Sequence, residues 1–475
     1  MKKIVQFVFL TAGLLLASIN SASAQVNPAR GNLMGSWVGA LKIQGISLTL
    51  VMNVKDNGHD SLIVTFDSPD QGAKGIPTSS VRVTADSIIV ALKMISGLYQ
   101  GKFTSGRDTL EGRWKQSNLD LPLNLEHKKQ AFKQVRPQEP IPPFPYISED
   151  VSFRNKQAGI TLSGTLTLPK DGGKHIAVVL ITGSGPQNRD EELMGHKPFL
   201  VLADHFTRKG IAVLRFDDRG VGKSGGDFST ATSLDFATDA AAAFDYLKTR
   251  PEIDTARLGL LGHSEGGIIA PIIASERKDV NFIVLMAGTG LTGEKVLLTQ
   301  AAAIQKADSG DQSSIQNTQD INQKIYEILI KNPDNEKASA RIRKLLQKEN
   351  QAERKKGSSD TMSSQAIEMN LKTVTSPWFR TFLTLDPQTY LKNVHCNILA
   401  INGDMDLQVD SKINLPAIEK ALIFGGNPHY TIEEIHGVNH LFQTAKTGSP
   451  SEYSTIEETI QPAVLQLITL WILQK

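Results

Sequence analysis

Hydrophobic and polar positions follow two different rhythms along this chain. Between about Leu33 and His127 the apolar residues come in short runs rich in β-branched types: Ser47–Val54, Ser61–Phe66, Val81–Val83 and Ser87–Leu92. Turn signals such as Asp56-Asn57-Gly58 break them at close intervals, which is the pattern of short antiparallel strands. Residues 31–127 are therefore expected to form a small all-β meander, closed or nearly closed into a barrel. Gly35-Ser36-Trp37 opens it and Gly112-Arg113-Trp114 closes it. Both tryptophans are expected in its core. The prolines of Arg136–Pro145 stiffen the chain toward polyproline II, so residues 128–146 read as a semi-rigid linker.

From about Tyr146 the rhythm changes. Ile176–Ile181, Ile211–Phe216, Leu258–Leu261, Phe282–Met286 and Ile398–Ile401 are short, continuous apolar runs, and helical stretches such as Pro198–Lys209 and Asp235–Thr249 separate them. Continuous runs fit strands buried on both faces, and strand–helix alternation fits a mostly parallel sheet covered by helices. The fold class of residues 147–475 is thus α/β. About a hundred residues separate Met286 from Ile398, more than one crossover helix needs. Apolar positions at Ile321, Ile325, Ile328 and Leu329, then Ile342, Leu345 and Leu346, predict a helical cap inserted at about 291–390.

The first residues carry a different signal. Lys2 and Lys3 precede an apolar run from Ile4 to Ala17, and Ala22-Ser23-Ala24 ends it. This is the layout of a secretory signal peptide over residues 1–24, cut after Ala24, and it predicts export to a periplasm or beyond. The run is short for a membrane span, and no membrane span is expected in the mature chain. Without Lys2 and Lys3 the 51 basic residues become 49, matching the 49 acidic ones. A formally neutral chain offers no electrostatic case for nucleic acid as a partner. The single cysteine, Cys396, cannot form an intramolecular disulfide, and its strand-like setting makes it a packing residue.

The candidate chemistry centres on Gly262-His263-Ser264-Glu265-Gly266. It follows the apolar run ending at Leu261 and precedes a helical stretch, Gly267–Ala274. That is the strand–turn–helix setting of a nucleophile elbow, which lifts a serine hydroxyl to the end of a strand. Such a serine needs a base, and the base needs an orienting acid. In this arrangement the chain order is Ser, acid, His. Asp406 follows the late strand ending at Ile401, with Asp404 as its rival two residues earlier. His440 follows the strand Tyr430–Ile435, with His436 directly at the strand end and His429 before it. Ser264, Asp406 and His440 are the expected catalytic set. The oxyanion donors should be the backbone N–H of Glu265 and that of Ser184, with Gly185 as the alternative, on the loop Thr182–Pro186.

Two other motifs carry no assignment. Gly222-Lys223-Ser224 resembles the end of a phosphate-binding loop, but Asp217 stands where that motif needs glycine. Asp404-x-Asp406-x-Gln408 lacks the glycine and glutamate of a calcium loop. No metal and no cofactor are expected.

Several blocks together are similar to a branch of bacterial secreted α/β-hydrolase esterases, often described as serine aminopeptidase-like. They are Gly183–Glu191, His196–Asp204, Arg215–Ser224 and Gly262–Gly267. The resemblance implies an α/β-hydrolase fold from about residue 150 onward, the set Ser264, Asp406 and His440, and esterase activity on short acyl chains. It also implies structural roles for Asp217, Asp218 and Arg219. A small-molecule or glycan-linked ester is the expected substrate; the oligomeric state is left open. Trp378, Phe379 and Phe382 at the end of the cap are read either as pocket lining or as core. The alternatives are an aminopeptidase or amidase with the same triad, for which Asp190, Glu191 and Glu265 would bind a free amino group, and a binding protein that works through its β-domain.

Overall fold

The computed structural model describes residues 33–43, 46–57, 62–69, 73–116, 119–128, 135–309, 312–355 and 361–475. The expected leader of residues 1–24 lies outside them.

The first sheet is built from β1 (Gly35–Ile43), β2 (Ile46–Asp56), β3 (Leu62–Ser68), β4 (Ala73–Pro77), β5 (Ser80–Val83), β6 (Ser87–Leu92), β7 (Gly97–Phe103), β8 (Thr109–Gln116), β9 (Leu119–Pro122) and β10 (Leu125–Lys128). All its pairings are antiparallel, in the order β4-β3-β2-β1-β10-β8-β7-β6-β5, with β9 added to β8. Strands alternate as a half-buried sheet must: Ile88, Val90 and Leu92 of β6 point inward and are fully buried. Trp37, Phe66, Tyr99 and Trp114 fill the core, with the Phe66 and Trp114 rings 5.5 Å apart.

The sheet is an open half-barrel rather than a closed one, because the end strands β4 and β5 do not pair. The chain crosses between the two edges at Thr78-Ser79. The Thr78 hydroxyl donates to Val64 O at 2.8 Å on one side, and the Ser79 amide donates to Ala91 O at 2.7 Å on the other. A single corner thus stands where a ladder would have to run.

The second sheet has eight strands: β11 (Ile147–Asn155), β12 (Ile160–Leu168), β13 (His175–Ile181), β14 (Ala212–Phe216), β15 (Ile253–His263), β16 (Phe282–Met286), β17 (Asn397–Gly403) and β18 (Tyr430–Ile435). Their order is β11-β12-β14-β13-β15-β16-β17-β18. β11 and β12 form an antiparallel hairpin, β12 runs antiparallel to β14, and all later neighbours are parallel. On one face pack α2 (Ser233–Lys248), α3 (Gly266–Glu276) and α10 (Ser411–Phe424); on the other pack α1 (Pro198–Arg208) and α11 (Pro462–Leu473).

The cap stands between β16 and β17. It consists of α4 (Gly293–Ser309), α5 (Gln312–Lys331), α6 (Asn335–Lys355), α7 (Ser364–Val374), α8 (Pro377–Thr384) and α9 (Gln388–Leu391). Ile321, Ile325 and Leu329 of α5 and Ile342 and Leu346 of α6 are buried at helical spacing. Ile328 and Leu345 pack at the margin. Among the described residues no helix is long and apolar enough to cross a membrane.

The proline-rich stretch is fastened by side-chain hydrogen bonds. Arg136 donates to the carbonyls of Met194, Gly195, Ser454 and Ile456. Gln138 donates to Ile460 O at 2.6 Å and accepts from the amides of Thr459 and Ile460.

Candidate active site

Strand order reverses at β13, whose neighbours β14 and β15 connect in opposite directions along the sheet. In an open α/β sheet, that reversal opens a crevice at the carboxyl ends of the strands. A cavity of about 1140 Å³ lies there. Its walls come from the segments just after the strands: Gly183–Gln187 after β13, Gly220–Gly222 after β14, Ser264 and Glu265 after β15, Thr289 after β16, Gln408 and Val409 after β17, and His440 after β18.

Ser264 occupies the sharpest of these turns. β15 ends at His263 and α3 starts at Gly266, so the chain reverses within two residues. Ser264 has φ 53°, a left-handed conformation rarely adopted by a residue with a side chain. Its amide donates to Met286 O at 2.8 Å, and its carbonyl accepts from Gly267 at 2.9 Å. The flanking glycines are needed for contact reasons. A Cβ on Gly262 would come within 1.9 Å of Gly266 O, and one on Gly266 within 2.2 Å of Ile181 O.

The acid and base candidates sort into two separate pairs. Asp406 Oδ2 lies 2.7 Å from His440 Nδ1, and both side chains are buried. The other Asp406 oxygen accepts from the amides of Gln408 at 2.7 Å and Val409 at 2.9 Å. Asp404 instead pairs with His436, 2.6 Å from Oδ2 to Nδ1, and accepts from the Gly437 amide. These two hydrogen bonds outweigh desolvation and hold the Asp404 carboxyl below its ordinary value. The His436 side chain is 97% exposed. Ser264 and His440 line the same cavity, although among the described residues no hydrogen bond joins them. Nucleophile–base contacts in empty sites are often long and tighten when substrate binds. His429 precedes β18, at the far end of that strand.

Around the expected oxyanion position the backbone is selective. The Gly183 amide donates to Glu191 Oε1 at 2.8 Å and is not available. The amides of Ser184, Gly185 and Glu265 meet no acceptor among the described residues, and all three residues line the cavity. Unused amides at a cavity wall suit a site that receives developing negative charge.

A strand order with an antiparallel first hairpin, a serine elbow after the fifth strand and a base after the eighth defines one architecture. Residues 197–365 match the family model described as serine aminopeptidase, S33, a span that contains Ser264 and ends before Asp406. This domain has the α/β-hydrolase fold. Esterase EstD of Thermotoga maritima is 33% identical to this chain over 175 residues, 37% of this chain and 41% of that one. The chain thus spans about two fifths of that relative's length. Among solved structures, the hypothetical protein PA2218 of Pseudomonas aeruginosa is similar with a TM-score of 0.43 at 18% identity, covering 71% of this chain and 96% of that one. The esterase Pf2001 of Pyrococcus furiosus is similar with a TM-score of 0.42 at 16% identity, covering 72% and 99%.

The cap of the α/β domain divides its three aromatics between both roles weighed for them. Trp378 and Phe382 stack with centroids 5.2 Å apart and line the cavity. Phe379 is fully buried in the core beside Tyr326. The Trp378 indole N–H donates to Glu265 Oε1 at 2.8 Å, and Ser233 Oγ donates to the same oxygen at 2.6 Å. Burial, with no cation beside it, pushes the Glu265 carboxyl above its ordinary value. The folded protein therefore keeps this proton at a pH where the unfolded chain has lost it. The resulting stability is fully present below the unfolded value and is lost as pH rises through the folded one. Glu265→Gln removes that titration while keeping the shape. From about pH 5 to about pH 8 the wild-type Tm should fall relative to the Glu265→Gln Tm; parallel curves would show that Glu265 ionises equally in both states.

The other acids are engaged too. Asp190 pairs with Arg215, and Glu191 with His263 at 3.0 Å. Asp217 holds Arg189 at 2.8 Å, Asp218 accepts from Thr182 Oγ1 and the Gln187 amide, and Arg219 binds Asp239 at 2.6 Å. These contacts pin the loop after β13 to the strand ends around it. Sequence reasoning weighed Glu191 only as an amine ligand and gave His263 no role. Among the described residues no group of three His, Cys, Asp or Glu side chains is placed to hold a metal ion.

Proposed function

We propose that this protein hydrolyses carboxylic esters through an acyl-enzyme on Ser264. The supporting observation is the buried Asp406–His440 pair at 2.7 Å, opening on the same cavity as the strained Ser264 turn. In this reading His440 takes the Ser264 proton as the hydroxyl attacks the ester carbonyl. Asp406 fixes the imidazole with its Nε2 toward the cavity and stabilises its charged form. The amides of Glu265 and of Ser184 or Gly185 hold the oxyanion, each worth about 3 kcal/mol in the transition state. The alcohol leaves with the proton from His440. Water then attacks the acyl group, with His440 again as base.

The acids around the site favour an ester over a substrate with a free amino terminus. An ammonium group needs an accessible, unpaired carboxylate. Asp190 is already paired with Arg215, Glu191 is taken up by the His263 ring and the Gly183 amide, and Glu265 is buried and held by neutral donors. The cavity has room beyond a short acyl group for a larger alcohol part, against an apolar wall that includes Leu297, Ile304 and Phe382. A sugar- or phenol-sized alcohol fits that space. The test compares matched p-nitrophenyl esters with aminoacyl p-nitroanilides. Ester turnover with the anilides untouched is the expected result. Preferred anilide cleavage would move the assignment to an aminopeptidase.

A further inference from the structure

His263, directly before Ser264, is buried, and both of its ring nitrogens meet oxygen acceptors. Nδ1 lies 3.0 Å from Glu191 Oε1, and Nε2 lies 3.0 Å from the backbone carbonyl of His440. A backbone carbonyl can only accept, so Nε2 carries a proton. Glu191 Oε1 already accepts the Gly183 N–H at 2.8 Å. The other oxygen, Oε2, is buried without a hydrogen-bond partner among the described residues in either protonation state, so the two contacts of Oε1, with the Gly183 amide and the His263 ring, are what tie Glu191 down. A neutral imidazole has a single N–H and cannot serve both acceptors; an imidazolium serves both.

The contacts join three segments that the proposed chemistry needs in register. Glu191 reaches the backbone of the loop after β13 through Gly183, where an added Cβ would stand 3.3 Å from Ser264 Cβ. His263 is the last residue of β15, next to Ser264. The His440 carbonyl belongs to the base itself, and the His263 and His440 rings are 4.9 Å apart. Glu191 holds φ 50° to do this, a strained conformation for a glutamate, of the kind that persists where the surroundings fix it. Other ionisable groups facing the pair are Asp406 after β17, Asp218 after β14 and His440. Burial alone would push His263 down, but the Glu191 carboxylate and the hydrogen bonds outweigh it and hold the imidazole above its ordinary value.

We propose that Glu191 and His263 form a second, ionised dyad that positions the oxyanion loop, Ser264 and His440 relative to one another, so that turnover depends on residues that do no chemistry themselves. This rests on the serine-hydrolase reading above. The test uses the full chain and Glu191→Gln, which keeps the size of the side chain and removes its charge. Active sites are counted with a fluorophosphonate that labels Ser264, and p-nitrophenyl acetate turnover is expressed per labelled site. The expected result is a kcat per site lowered about 10- to 100-fold, the penalty typical of misplaced reacting groups, with KM nearly unchanged. A lower Tm with unchanged kcat per labelled site would reduce the pair to a stabilising contact and overturn the proposal. A second measurement needs no variant activity: ¹⁵N-histidine NMR of the wild type should show His263 protonated on both nitrogens at mildly alkaline pH, and a neutral His263 would overturn it. Failure of the fluorophosphonate to label wild-type Ser264 would instead remove the serine-hydrolase reading, and the NMR signal would still decide whether the dyad is ionised.

Discussion

Ser264→Ala is expected to lower ester turnover by roughly 10⁶-fold, the loss typical when the nucleophile of a triad is removed. The reason lies in what remains. In the proposed mechanism the amides of Ser184 and Glu265 would still stabilise an oxyanion, and the cavity would still bind substrate. Those terms alone sustain a residual rate of about 10³–10⁴ over water. The variant should fold normally, because Met286 O and Gly267 N bond to the backbone of residue 264 and not to its hydroxyl. Stopped-flow kinetics with a p-nitrophenyl ester would show a burst of product in the wild type and none in Ser264→Ala. A decrease of less than about tenfold would mean that another group carries the reaction, and the assignment of Ser264 as nucleophile would be withdrawn.

How much of this site can be read without coordinates depends on how local its causes are. β16 and β18 span the same residues as the runs seen in the sequence, Phe282–Met286 and Tyr430–Ile435. The first is buried throughout, and burial on both faces shows as an unbroken apolar run. β11 is different. Its residues Ile147–Asn155 include Glu149, Asp150 and Arg154, and much of it is exposed, so no apolar rhythm announces it. It exists because β12 offers it a full antiparallel register. The open edge of the first sheet is equally invisible, since it turns on where Thr78 and Ser79 find carbonyls on two different strands.

Side-chain partners follow the same logic. The elbow is a contiguous motif between an apolar run and a helical stretch, so it is legible, although only Gly262 answers to a contact within the turn and Gly266 answers to Ile181 of β13. The Glu191–His263 bond spans 72 positions and joins two loops that meet only because β13 and β15 are neighbours. The sequence favours Asp406 over Asp404 without deciding between them, for a subtler reason. Both follow β17 by a few residues, both have a histidine after β18 within reach, and two residues of spacing do not say which way a loop will turn its side chains.

Asp406→Asn and Asp404→Asn should therefore differ by orders of magnitude. Asp406 is buried against His440, so its loss is felt by the base directly. An asparagine there can present its amide N–H to Nδ1, which favours the wrong imidazole tautomer with Nε2 protonated. That exchange lowers kcat about 10⁴-fold where it has been isolated in a triad. The amides of Gln408 and Val409 would keep the loop in place, so the fold should survive. Asp404 works at the surface. Its partner His436 is almost wholly exposed, and the Gly437 amide can bond an asparagine oxygen as readily as a carboxylate. Surface pairs of this kind contribute about 0–1 kcal/mol, so Asp404→Asn should change kcat by less than about threefold, consistent with an exposed pair. Measuring kcat for both variants against pH separates the two assignments. If Asp404→Asn is the crippled variant, the loop after β17 reorients in solution and His436 becomes the base to test. If Asp406→Asn alone is crippled, the pairing that two aspartates so close together leave open in the sequence is decided by burial.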